Sequence, residues 1–162
     1  KAVSEKFINL ENRINAISKT YNMLLITDDL EEINMQEYIE SLLLDIQETV
    51  YHTYQNIEIL THIDAKIPLR ESVYIGLIIN ELVTNAFKYA FTDNKGMITI
   101  SLHQENTHYI LTIEDNGKGY HHTQKQQSLG LKLIHTLVYG QLNGELETHT
   151  NAHTKNIIRF SI

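Results

Sequence analysis

Cysteine is absent from this sequence, which removes disulfides, thiolate catalysis and cysteine-based zinc sites together and leaves the compartment open. Long apolar runs are also missing. The longest, such as Ile75–Ile79 within YIGLIIN, fall far short of the roughly 20 residues that span a bilayer. The amino end, which opens on Lys1, has none of the features of a signal peptide. Basic charge is scarce: 13 Lys and Arg face 20 Asp and Glu, for a net charge of −7. That balance argues against a nucleic-acid groove or an anionic membrane surface as the main partner, while an anionic small ligand fits wherever cations are concentrated locally. Neither the GxxxxGK[ST] loop of P-loop proteins nor the GxGxxG of dinucleotide folds occurs. What is present, 162 residues with 42% apolar and 20% charged side chains, suits one globular domain or a domain with a short appendage.

The first segment places Val3, Phe7, Leu10, Ile14, Ile17, Tyr21 and Leu24 at alternating spacings of four and three. This is a heptad seam, suited either to a helix lying on its own domain or to a coiled-coil or bundle interface. The periodicity stops in TDDLEEI, where acidic residues cluster, and a boundary is expected there, dividing residues 1–30 from 31–162. Beyond it, Asn34 with Glu37 three residues later forms a capping-box pattern, and Tyr38, Ile39, Leu42, Leu43, Ile46 and Val50 make one apolar helical face. NIEILTHI reads as a strand. The single proline, Pro68, stands near the start of the next helix, where a missing amide donor costs least; that helix runs to about Phe91. MITISLHQ and HYILTIED follow as a hairpin joined by ENT, then the polar loop NGKGYHHTQKQQS, a helix from about Leu129 to Gly140, a turn at QLNG, and strands ELETHT and NIIRFSI. The order predicts an α+β, two-layer sandwich with helices on one face of a mixed, mostly antiparallel sheet, preceded by the heptad helix.

Three stretches can carry chemistry. In NELVTNAFKYAF (80–91), the apolar positions Leu82, Ala86, Phe87 and Ala90 share a helix with Glu81, Thr84, Asn85 and Lys88 at i, i+3, i+4 and i+7, a narrow polar stripe. A solvated face explains such a stripe, and so does a ligand pocket: an asparagine oxygen can ligate magnesium, a glutamate can polarise a nucleophile, and a lysine can meet phosphate. In DNGKGY (115–120), Asp115 ends a strand, and Gly117 and Gly119 allow positive φ or close backbone approach. An ionised carboxylate there accepts from adenine's exocyclic amine and repels guanine's carbonyl, although Asp-Asn-Gly is also ordinary turn chemistry. In SLGLKLI (128–134), a glycine opens a helix whose free amides can hold anionic oxygens, with Lys132 nearby. Together, separated by a loop able to close as a lid, the three supply what a nucleoside triphosphate requires.

The nine histidines include no helical pair at four-residue spacing beside a carboxylate, and with no cysteine a histidine metal site is not expected; His121 and His122 fall in the polar loop, and His135 reads as packing or surface. The serines and threonines form no nucleophile elbow.

NELVTNAFKYAF, DNGKG and SLGLKLI resemble the N-box and the first and second glycine boxes of the ATP-binding (Bergerat-type) fold shared by sensor histidine kinases, DNA gyrase, the Hsp90 chaperone and MutL. GLIINELVTNAFKYAF with QLNGELE is most similar to bacterial sensor histidine kinases of the subclass with an H-R-x-K-N type acceptor motif, and LENRINAI resembles the second helix of their dimerisation and phosphoacceptor hairpin. The resemblance implies ATP and Mg²⁺, with Asn85 as the metal ligand, Glu81 as the residue that polarises the attacking group, and Lys88 and Tyr89 beside the nucleotide. It further implies Asp115 on the adenine amine, Gly117 and Gly119 shaping the pocket floor and lid, Ser128, Leu129, Gly130 and Leu131 closing on the phosphates, and Thr154 near the adenine. Ser128 stands where many of these kinases have another glycine, and no phenylalanine box is visible. No histidine lies in an H-R-x-K-N context, so the acceptor helix and any sensor are expected upstream of Lys1. The implied partners are an acceptor histidine on the same or a partner protomer, a response-regulator receiver domain, and a second copy through residues 1–25, with no nucleic acid and no membrane contact within these residues, in the cytoplasm either as a free protein or as the cytoplasmic part of a membrane-bound sensor. An anti-sigma-factor-type serine kinase and a non-catalytic nucleotide-binding module are the alternatives the same boxes allow.

Overall fold

The computed structural model describes residues 32–50, 56–118 and 129–162, together with positions 10, 11, 14, 15, 17, 18 and 22 of the leading segment, which have helical backbone. Of the heptad seam, Leu10, Ile14 and Ile17 are about half exposed at 50%, 53% and 48%. Val3, Phe7, Tyr21 and Leu24 lie outside the described residues, as do most of the polar loop, Gly119 and Ser128.

Strand β1 (Glu32–Asn34) leads into helix α1 (Met35–Val50). Asn34 Oδ1 accepts the Gln36 main-chain N–H at 3.1 Å, and its amide donates to Glu37 Oε1 at 3.2 Å, so the capping pattern is realised with its return bond on a side chain. The apolar face of α1 buries Tyr38, Ile39, Leu42, Leu43 and Ile46 as the periodicity predicts. Strand β2 (Asn56–Asp64) and the short β3 (Lys66–Pro68) precede α2 (Leu69–Tyr89), with Pro68 immediately before the first turn. Buried Ser72 ties that turn down by donating to the carbonyls of Ile67 and Pro68 at 3.0 and 2.9 Å.

Strands β4 (Lys95–Glu105) and β5 (His108–Asp115) form the expected hairpin around Asn106, which takes φ 55°, a left-handed conformation asparagine tolerates. Helix α3 (Leu129–His135) continues without interruption as a π-helix over Thr136–Gln141, closed by the Leu142 N–H on the Leu137 carbonyl at 2.9 Å. Strands β6 (Glu145–His149) and β7 (Lys155–Phe160) complete a five-stranded sheet in the order β2-β4-β5-β7-β6. Only β2 and β4 run parallel, with Asn56 opposite Lys95; the other pairs are antiparallel. The inward positions, Ile98, Ile100 and Leu102 on β4, Leu111 and Ile113 on β5, Ile158 and Phe160 on β7, are buried in one core with the helices.

Two features differ from the sequence reading. The pair β1–β3 forms a separate two-stranded sheet with Ile33 opposite Ile67, both buried, inside segments whose acidic and proline-bounded composition hides a three-residue strand. The π-helical turn replaces the second half of what reads as one α-helix, because an i−5 hydrogen bond leaves the apolar spacing almost unchanged.

Candidate functional site

The carboxyl ends of α2 and β5 meet the start of α3 and the β6–β7 edge around one cavity that opens to solvent. Helix α2 lines it with Leu82, Asn85, Ala86 and Tyr89, the i, i+3, i+4, i+7 ridge. This ridge is turned from the stripe read in the sequence and shares only Asn85 with it. Glu81 and Thr84 are buried at 6% and 8% exposure and Lys88 is half-buried, so the stripe is not a solvated face. Asn80 Oδ1 and Thr84 Oγ1 are buried with no hydrogen-bond partner among the described residues.

Strand β5 brings Ile113 and Asp115 to the cavity, α3 brings Leu131, Ile134 and His135, and the β6–β7 edge brings Leu146, Thr148, Thr154 and Asn156. Asp115 is the most constrained of these. Its N–H donates to the Thr154 carbonyl at 3.0 Å, and its Oδ1 accepts the Gly117 N–H at 3.0 Å. The next residue, Asn116, clamps the strand end to β4: its Oδ1 accepts the Met97 N–H at 2.7 Å and its own N–H donates to the Met97 carbonyl at 3.1 Å. Burial pushes the Asp115 carboxyl above the usual aspartate range, against the opposing hydrogen bonds from Gly117 and from Thr154. On the adjoining residue the balance reverses. Burial raises Glu114, but Lys155 at 3.1 Å and His153 at 2.7 Å outweigh it and hold its carboxyl below the usual range.

Of the residues expected from the sequence, Asn85, Tyr89, Asp115, Leu131 and Thr154 meet in this cavity. Glu81, Lys88, Leu129 and Gly130 flank it without forming its wall, and Gly117 lines a second, shallower concavity with Thr92, Asp93, Lys95 and Lys118. A family model described as histidine kinase-, DNA gyrase B-, and HSP90-like ATPase matches residues 71–162. The chain belongs to that family. A second model, described as histidine kinase, matches residues 1–50 of the same ATPase-family chain. Among curated relatives, the sensor histidine kinase PdtaS of Mycolicibacterium smegmatis is 27% identical over 155 residues, covering 90% of this chain and 30% of that protein. Blue-light-activated histidine kinase 2 of Erythrobacter litoralis is 25% identical over 168 residues, covering 99% of this chain and 48% of that protein. The chain thus spans about a third to a half of the length of these relatives. Among solved structures, the histidine kinase domain of an Erythrobacter litoralis blue-light-activated kinase superposes with a TM-score of 0.82 at 22% identity, over 94% of this chain and 74% of that one. Acinetobacter baumannii AdeS gives 0.67 at 20% identity over 98% and 79%, so the fold of the ATPase domain is shared.

Sequence reasoning did not nominate the other polar residues of this cavity. His135, expected as packing or surface, is exposed at the cavity edge with its ring 5.5 Å from that of Tyr139. Thr148 and Asn156 also line the wall, and the one signal for them was an asparagine breaking the apolar alternation of NIIRF.

Proposed function

We propose that this chain is the ATP-binding catalytic part of a two-component sensor histidine kinase, residues 31–162 forming the catalytic domain and residues 1–30 the second hairpin helix with its linker. It would pass the γ-phosphoryl of Mg·ATP to an acceptor histidine on its own or a partner protomer, for relay to a response-regulator receiver domain. One observation carries the reading: Asn85, Asp115 and Thr154, distant in sequence, line a single cavity together with the apolar side chains of Leu82, Ala86, Ile113, Ile134 and Leu146.

In this reading the Asp115 carboxylate accepts from the adenine amine, Thr154 braces it, and Tyr89 and Leu131 cover the base. Lys88 and the backbone around Gly119, Ser128, Leu129 and Gly130 meet the phosphates. Glu81 polarises the incoming imidazole. Among the described residues no group of three His, Cys, Asp or Glu could hold a metal, and Asn85 is one of the residues that offer the cavity a hard oxygen. A site of this kind fits an ion that brings phosphate oxygens and water as its other ligands. Magnesium, when bound, supplies neutralisation of triphosphate charge.

The half-exposed Leu10, Ile14 and Ile17 support a second copy as the partner of the leading helix. Residues 1–50 contain no histidine, so the phosphoryl group must be accepted elsewhere. Among the described residues no helix is long and apolar enough to cross a membrane. On this reading the domain works in the cytoplasm, where ATP is available. Incubation with γ-labelled ATP and a separate acceptor-hairpin protein tests the reading: acid-labile, alkali-stable label on the hairpin is expected, and a hairpin left unlabelled overturns it.

A further inference from the structure

Strand β7 turns three buried side chains toward the core, Asn156, Ile158 and Phe160, and only the first is polar. An amide in that register costs free energy unless its groups are bonded. Half of the requirement is met. Asn156 sits opposite Thr148 on β6, whose hydroxyl donates to Asn156 Oδ1 at 2.9 Å. With its carbonyl so engaged, the side chain has its NH₂ left to give, and that group has no hydrogen-bond partner among the described residues. Asn156 is nine-tenths buried, at 9% exposure, and lines the same cavity as Asp115. It faces Ile113 across the β5–β7 ladder, two residues along β5 from Asp115, on the same face of the sheet.

A fixed acceptor and a fixed donor therefore stand side by side on the cavity wall. Adenine carries the complementary pair, an exocyclic amine flanked by the ring acceptors N1 and N7. Guanine carries an acceptor where the amine would be. Asparagine in nucleic-acid recognition makes both bonds to adenine through one amide; here the carbonyl is held by Thr148 and a carboxylate has its role.

We propose that Asn156, braced by Thr148, is a base-reading residue that donates to an adenine ring nitrogen beside the amine held by Asp115. This rests on the nucleotide-site reading above and adds a specificity determinant to it. Thr148 is a positioning residue, since it acts through Asn156.

Calorimetric titration of the chain with ATP, 1-deaza-ATP and 7-deaza-ATP tests the proposal without any substitution. One deaza analogue should bind about three- to ten-fold more weakly than ATP, the worth of one hydrogen bond. In Asn156→Val, ATP should weaken by the same factor and that gap should close, while the empty variant melts no lower than the parent. Thr148→Val should narrow the gap in part. Equal binding of all three nucleotides by the parent chain, or gaps that persist unchanged in Asn156→Val, would overturn the proposal with the nucleotide site intact. A parent chain that binds none of the three would instead overturn the nucleotide reading beneath it.

Discussion

Gly117 rests against the end of α2 so closely that a β-carbon on it would overlap the carbonyl of Ala90, and the following N–H, of Lys118, donates to that carbonyl at 3.0 Å. The loop leaving β5 and the last turn of α2 are thereby one mechanical unit. Because Gly117 also donates to Asp115 Oδ1, the orientation of the cavity carboxylate depends on that contact.

Gly117→Ala should therefore lower unfolding free energy by about 2 kcal/mol or more, since the obstructing atoms are backbone and cannot swing aside. ATP affinity should fall with it. Urea denaturation measures the first effect; an alanine variant as stable as the parent would show that the loop and helix separate freely.

Asp115→Asn should weaken ATP binding about a hundredfold or more, through loss of a charge-assisted bond and presentation of a donor to the adenine amine. The same change should stabilise the empty domain near neutral pH. Burial raises the folded carboxyl above its unfolded value, so between the two values the folded state binds more protons than the unfolded one. Stability contributed by this group is consequently full below the unfolded value and is lost as pH rises through the folded one. Thermal melts against pH should show the variant more stable above that window and equal to the parent below it. In the parent, ATP affinity should drop as pH falls through the same window.

Asn85→Ala should lose the magnesium-dependent part of ATP affinity and retain binding measured in EDTA. Glu81→Gln should bind ATP normally while phosphoryl transfer falls about 10²- to 10⁴-fold. Calorimetry paired with single-turnover labelling separates the two. Equal loss of binding in both variants would assign them a common structural role.

Gly76 is where α2 passes α1: a β-carbon there would overlap the hydroxyl of fully buried Tyr38. Gly76→Ala should cost about 1–3 kcal/mol in a well-packed site. In Tyr38→Phe the same substitution should cost less, because the nearest obstructing atom is gone. A double-mutant cycle in chemical denaturation checks the coupling, and additivity would place the two residues apart.

Helix and strand order was legible because its signals are local. Asn34 and Glu37 announce a helix start, the face Tyr38–Ile46 has a 3.6-residue period, and MITISLHQ and HYILTIED alternate across a short polar link. The three-residue strands β1 and β3 have no such signal: Ile33 and Ile67 are single apolar residues whose pairing exists only once α1 and α2 have docked. The parallel partnership of β2 with β4 joins segments separated by an entire helix, and no residue in either strand encodes the direction of its neighbour.

The candidate site divides in the same way. Glycines at a strand end, an acidic residue before them and an asparagine within an amphipathic helix are residue types that restrict chemistry wherever they fall, so the sequence by itself determined the class of ligand to expect and nominated Asn85 and Asp115. Which face of α2 meets the cavity was decided by helix packing, because a rotation of about 100° exchanges Glu81 and Thr84 for Leu82 and Ala86 without altering the amphipathic pattern. Tertiary structure alone set Thr148 opposite Asn156 and both on one cavity wall with Asp115, since strand register joins residues through hydrogen bonds between chain segments whose spacing carries no record of it.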